Sequence, residues 1–203
     1  KLHVDTSVKP VNTPPRPIPY HIRERAQRVI NEMIEQDVIE KHPENEIAPW
    51  VSCAVIAPKP NGDIRVTLDA RNVSKAIHSN NHPIPRQEDI KSKLSGSKVF
   101  SKLDFKTAFW QLELAPKSRY LTVFHANDTL YRYKRLTMGL KPAQGELNVA
   151  LKPVFGHISQ AHLIHDDLIL ATTTYKEHLE VVQQVMDAIS KAGLTVNPAK
   201  CHF

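Results

Sequence analysis

Asp166 and Asp167 stand between Leu163-Ile164 and Leu168-Ile169-Leu170, two carboxylates placed where two apolar strands would turn back on each other. A third carboxylate, Asp104, ends another apolar strand, Val99-Phe100-Ser101-Lys102-Leu103-Asp104. Three carboxylates at strand ends supply the oxygen ligands that two hard divalent cations prefer. Two such ions about 3.5–4 Å apart can activate a hydroxyl and stabilise a leaving pyrophosphate in an in-line displacement. Asp is also common in hairpin loops, so a purely polar turn is the competing reading.

The elements that must position these residues are legible from the pattern. Residues 9–19 carry five prolines, which remove backbone donors and fix φ, so they read as an extended surface arm. Ile22, Ala26, Val29, Ile30, Met33, Ile34 and Val38 recur at three- and four-residue steps and predict a helix with one apolar stripe. The run from Trp50 to Ala57, the turn Lys59-Pro60-Asn61-Gly62-Asp63 and the alternating Ile64 to Asp69 predict a β-hairpin. Residues 79–97 read as polar loop around Pro83 and Pro85, with a short helix over Gln87–Leu94. A strand pair is expected over Thr122–Phe124 and Tyr131–Arg135, joined by Asn127-Asp128, and a helix over Pro142–Phe155. A last amphipathic helix carries Leu179, Val182, Val185, Met186 and Ile189 and stops at Gly193. Strands and helices mix without strict alternation, which predicts an α+β fold with an antiparallel sheet.

Composition bounds the function. The chain has 203 residues, 41% hydrophobic and 24% charged, with a net charge of +6. A pI near 9.3 suits a polyanionic partner. Cys53 and Cys201 lack the paired spacing of a disulfide scaffold or zinc site. The eleven His form no helical His-x-x-x-His pair with an acidic neighbour. No apolar run reaches the ~18 residues of a membrane span and no signal peptide opens the chain, so an intracellular, reducing setting is expected.

Taken in order, these blocks resemble the reverse transcriptases of gypsy-type long-terminal-repeat retrotransposons and their retroviral relatives. The resemblance starts at Lys9-Pro10 and runs through Ile34-Glu35-Gln36-Asp37-Val38-Ile39, Ala48-Pro49-Trp50-Val51-Ser52 and Lys59 to Val66. It continues in Leu68-Asp69-Ala70-Arg71-Asn72-Val73, Phe100 to Asp104, Met138-Gly139-Leu140-Lys141, His165-Asp166-Asp167, and Gly193-Leu194 through Cys201. It implies a right-hand polymerase fold, with fingers from 1–78 and 113–144 and palm from 79–112 and 145–203. The thumb, a connection and a ribonuclease H domain would follow beyond the chain, which stops before the primer grip is complete. The implied activity is RNA-directed DNA synthesis from deoxynucleoside triphosphates on an RNA or DNA template-primer, with two Mg²⁺ ions (Mn²⁺ as substitute), in a cytoplasmic particle or the nucleus.

Asp104, Asp166 and Asp167 match the family's metal-binding aspartates. Arg65 would bind the triphosphate, since a guanidinium binds phosphate bidentately and stacks on bases. Lys59 is a second phosphate ligand or a solvated turn lysine. Backbone amides of Phe105, Lys106, Thr107 and Ala108 could form an anion-binding nest. Phe109 matches the aromatic gate that leaves no room for a ribose 2′-OH, Trp110 beside it reads as packing, and Gln111 is left without a role. Met138 and His165 would line the nucleotide site. Asp69 and Arg71 would meet the template, although a structural salt bridge explains them equally. Ile164 stands where the family's Tyr-x-Asp-Asp has tyrosine, beside the primer end. Pro142 to Leu147 also departs from the family's Asn-Ala-Pro-Ala-x-Phe. These departures favour a second reading, a non-catalytic binding module that keeps the fold. A two-metal nuclease lacks the further ligands or base that hydrolysis would use.

Overall fold

The computed structural model describes residues 1–59, 62–78 and 87–203, so the expected loop over 79–86 and the tip of the first hairpin, Pro60-Asn61, lie outside the described residues. In chain order the elements are α1 (Tyr20–Glu35), β1 (Ile39–Lys41), β2 (Ser52–Pro58), β3 (Ile64–Leu68), α2 (Val73–Ala76), α3 (Gln87–Leu94) and β4 (Val99–Asp104). Then come β5 (Phe124–Ala126), β6 (Thr129–Tyr133), α4 (Ala143–Phe155), β7 (Ala161–Ile164), β8 (Asp167–Thr172) and α5 (Tyr175–Lys191). The chain divides into two compact units, Lys1–Ser79 with Leu112–Ala143, and Asn80–Gln111 with Gln144–Phe203.

The first unit is built on a five-stranded sheet in the order β1-β6-β5-β2-β3. Its pairings are antiparallel except β2 with β5, which run parallel. That pair departs from the expected all-antiparallel arrangement. The arm is exposed and tied to the sheet through Val51, whose carbonyl accepts from the Thr13 amide at 2.8 Å. Helix α1 buries Ala26, Val29, Ile30 and Met33, and each large side chain so buried contributes about 1.5–3 kcal/mol. Ile34, expected on the same stripe, is 36% exposed. Val38 is buried from outside the helix. The Asp37 amide bonds the Ile34 carbonyl and the Val38 amide the Met33 carbonyl, with Asp37 at φ 56°. This left-handed cap folds Val38 back over Met33.

The hairpin of β2 and β3 forms as expected, with Ala54 opposite Leu68 and Pro58 opposite Ile64. The next strand pair is shifted from its expected place, to 124–126 and 129–133. Asn127 and Asp128 both have positive φ, 44° and 59°, and close a two-residue loop that brings the strands to its edge. Upstream, Pro116 starts a 3-10 helix that runs to Thr122 and keeps that residue out of the strand.

The second unit holds the sheet β4-β8-β7, antiparallel throughout. Ser101 and Leu103 of β4 are buried, as are Leu168, Leu170 and Thr172 of β8. Alternation therefore sends Phe100, Lys102, Asp104 and Asp167 to the opposite face. Helix α5 covers the buried face, capped by the Thr174 hydroxyl accepting from the Glu177 amide and ended by Gly193 at φ 66°. Its inward stripe is His178, Val181, Val185 and Ile189. Leu179 and Met186, expected to pack inward, are 53% and 38% exposed. His178 decides the rotation, because its ring nitrogens lie 2.7 Å from Ser101 Oγ and 2.8 Å from Thr172 Oγ1. A buried imidazole needs such partners.

Candidate functional site

The site starts from the register of β4 and β8. Asp104 and Asp167 are direct cross-strand partners, and Ile164 of β7 lies opposite Asp167 on its other side. Like charges facing each other across strands are unfavourable, and two lysines compensate here. Lys102 Nζ lies 2.6 Å from Asp167 Oδ2. Lys200 Nζ lies 3.9 Å from Asp104 Oδ2. The hydrogen bond to Asp167 holds the Lys102 ammonium above its ordinary pKa, with the Asp104 and Asp166 charges adding to it.

Asp166 is exposed in the turn between β7 and β8. His165 before it is also exposed and has φ 58°, a conformation that costs a residue with a Cβ about 1–2 kcal/mol. Gln144 steadies the turn by donating from Nε2 to the His165 carbonyl at 2.7 Å. The register pairs Asp104 with Asp167 and puts Asp166 in the turn beside them. Among the described residues, no group of three or more His, Cys, Asp or Glu is gathered as a metal site. One oxygen of Asp167 is held by the Lys102 ammonium. The donor set fits a hard divalent cation all the same. It consists of carboxylate oxygens at an open strand end, and the charge that balances them now is a cation.

The segment after Asp104 is pinned rather than open. Phe105 is buried, its ring 5.9 Å from that of Phe155. The Lys106 amide donates to the Thr195 carbonyl at 3.0 Å, so it is not available to the expected anion nest. Thr107 turns the chain with φ 48°, and its carbonyl accepts from the Trp110 amide at 2.8 Å. Ala108 is buried, whereas Phe109 and Trp110 are both half-buried. Gln111 turns out to brace the segment. Its Nε2 donates to the carbonyls of Lys106 and Thr195 at 2.7 and 2.8 Å, and its Oε1 accepts from the Thr195 amide at 2.9 Å. No local pattern signals this role, because Thr195 is 84 positions away. Lys102 was findable, since it shares the face of Asp104 two residues on.

The remaining predicted residues belong to the first unit. Arg65 is exposed on β3, its Nη1 3.7 Å from Met138 Sδ, and Met138 is itself 41% exposed. Gly139 follows with φ 91°, and a Cβ there would lie 3.1 Å from the Leu68 carbonyl oxygen. That close approach explains the glycine. Lys59 pairs with Asp63 at 3.4 Å, which favours its turn role over phosphate binding. Arg71 grips Asp69 with two bonds of 2.8 and 2.7 Å, and Arg16 adds a contact at 3.3 Å. The Arg71 guanidinium holds Asp69 below its usual carboxylate range. A cavity of about 220 Å³ beside the arm, between Arg16 and Asn127, contains none of the predicted residues.

Comparison with known proteins follows this geometry. The Reverse transcriptase (RNA-dependent DNA polymerase) family profile matches residues 57–203. The Retrovirus-related Pol polyprotein from transposon 412 of Drosophila melanogaster is 31% identical over 203 residues, 96% of this chain and 16% of that polyprotein. The Transposon Tf2-3 polyprotein of Schizosaccharomyces pombe is 26% identical over 155 residues, 75% of this chain and 12% of that polyprotein. The chain thus spans a small part of these relatives. Foamy viral protease-reverse transcriptase in complex with RNA/DNA hybrid superposes with a TM-score of 0.87 at 22% identity, covering 98% of this chain and 27% of that one. At that identity the likeness establishes the fold. With the profile spanning most of its length, the chain belongs to the reverse transcriptase (RNA-dependent DNA polymerase) family.

Proposed function

We propose that the chain is the fingers-and-palm portion of an RNA-directed DNA polymerase, the first unit being fingers and the second palm. The observation that carries this reading is the Asp104–Asp167 cross-strand pair, with Asp166 exposed in the adjoining turn. The aspartates would hold two Mg²⁺ ions, or Mn²⁺ in their place. When bound, such ions activate the primer 3′-hydroxyl and stabilise the pyrophosphate leaving group. Arg65 would engage the triphosphate from its exposed strand position, with Met138 supporting the guanidinium. Phe109 would lie under the sugar and select deoxynucleotides. Gln111 and Gln144 are positioning residues, one fixing the segment after Asp104 and the other the His165-Asp166 turn. Template-primer and deoxynucleoside triphosphate are the substrates on this reading, and thumb, connection and ribonuclease H regions would belong to the same polyprotein.

Primer extension on a primed RNA template with Mg²⁺, by this chain within its longer polypeptide, tests the proposal. Extension that is lost in Asp166→Asn is the expected result, and no extension by the unaltered polypeptide overturns it. A second reading, a non-catalytic module retaining the fold, draws on the Lys102–Asp167 pair, in which a side chain holds a carboxylate assigned to a metal.

A further inference from the structure

The lysine on Asp167 has a role of its own. Lys102 projects from the same face of β4 as Asp104, and its ammonium bonds Asp167 across the strand at 2.6 Å. Its backbone is fixed on both edges. It pairs with Ile169 of β8, and on the other side its amide donates to the His202 carbonyl at 2.7 Å while its carbonyl accepts from the His202 amide at 2.8 Å. The backbone of the lysine is thus held in the sheet beside the carboxylates, while its side chain is 43% exposed. We propose that Lys102 is a tethered counter-ion that neutralises the Asp104–Asp167 pair in the metal-free protein, so that a divalent cation binds in competition with it.

This inference rests on the proposed metal role of the aspartates. The physical argument is one of competition. Without a cation, two carboxylates facing each other across β4 and β8 repel. An ammonium on the pair removes that repulsion at a cost to metal affinity, because the incoming ion must break the Lys102–Asp167 bond. A lysine suits the task better than an arginine, being a compact point charge on a flexible stem without the bidentate fork that would lock a carboxylate. Lys200, at 3.9 Å from Asp104 and 67% exposed, is a weaker second counter-charge.

The test is Mn²⁺ binding, followed by electron paramagnetic resonance of free Mn²⁺, on the 203-residue chain and its Lys102→Met, Lys102→Arg and Asp104→Asn variants. Thermal melting with and without Mn²⁺ accompanies it. Lys102→Met is expected to bind Mn²⁺ about tenfold more tightly than the unaltered chain. It should also melt lower without metal and gain more in melting temperature on Mn²⁺ addition. Lys102→Arg keeps the charge and should return affinity toward that of the unaltered chain. Equal Mn²⁺ affinity in the unaltered chain and Lys102→Met, with binding lost in Asp104→Asn, overturns the counter-ion role and leaves the metal site standing. Binding that survives undiminished in Asp104→Asn, or is absent from every variant, overturns the metal reading and this inference with it.

Discussion

Each unit contains a hairpin closed by two residues, and the two loops obey different rules. In the first unit, Asn127 and Asp128 take positive φ, a conformation that short polar side chains tolerate. Asn127 also anchors the loop by donating from Nδ2 to Gln27 Oε1 at 2.8 Å. In the second unit the loop is His165-Asp166, with a histidine at positive φ and a carboxylate left exposed beside Asp167. It is steadied from outside, through Gln144 on its carbonyl. The first loop is the residue choice that folding alone would make. The second spends stability at a sheet end rich in carboxylates, and backbone strain of this kind clusters at functional sites.

The largest expected effect separates the hairpins by activity. In the longer polypeptide, Asp167→Asn is expected to slow single-turnover nucleotide addition by about a thousandfold or more, while Asp128→Asn leaves the rate unchanged. Equal effects would erase the distinction. Phe109→Val should next raise ribonucleotide incorporation relative to deoxynucleotide by about tenfold or more, measured as a ratio of kcat/KM values. An unchanged ratio assigns the ring to packing.

Stability sharpens the contrast further. His178→Ala strips the buried Ser101 and Thr172 hydroxyls of a shared partner and should cost about 2–4 kcal/mol in denaturant unfolding. That outcome would show that the second unit's core follows ordinary packing rules beneath its strained loop. His165→Gly should stabilise by about 0.5–1 kcal/mol through relief of the positive φ. Asn127→Gly should bring no gain, since it loses the Gln27 bond. A smaller effect is pH-linked. Gln160, then the Thr173 amide and hydroxyl, lower the Glu177 pKa from 4.5. A carboxylate held low in the folded state contributes stability above its unfolded pKa and loses it as pH falls through the folded value. The melting temperatures of the unaltered chain and Glu177→Gln should thus differ at pH 7 and converge as pH drops below 4.5.

Much of this was readable from the residues. The helix Gln87–Leu94 and the carboxylate-bearing hairpin follow from local pattern, because period and turn chemistry are local properties. The face of α5 was not. Tyr175, Leu179, Val182 and Met186 form a second apolar stripe beside the inward one. His178 is held inward by the Thr172 hydroxyl six residues before it and by the Ser101 hydroxyl 77 positions away, and the second of these no local pattern shows. At the site, the acidic types and their strand ends were legible. The Lys102 ion pair and the Gln111 bracing needed the register, since both join residues more than sixty positions apart.

The segment from Thr195 to His202 has a practical meaning for anyone trimming the polypeptide. It runs beside β4 opposite β8, with the Asn197 amide on the Asp104 carbonyl at 2.8 Å and the Lys102–His202 exchange beyond it. A protein shortened to end at Gly193 would bare that row of donors and acceptors. Bare sheet edges recruit strands from neighbouring molecules. Such a trimmed protein would be prone to precipitate during purification and to self-associate in light scattering, even with its helices and aspartates intact.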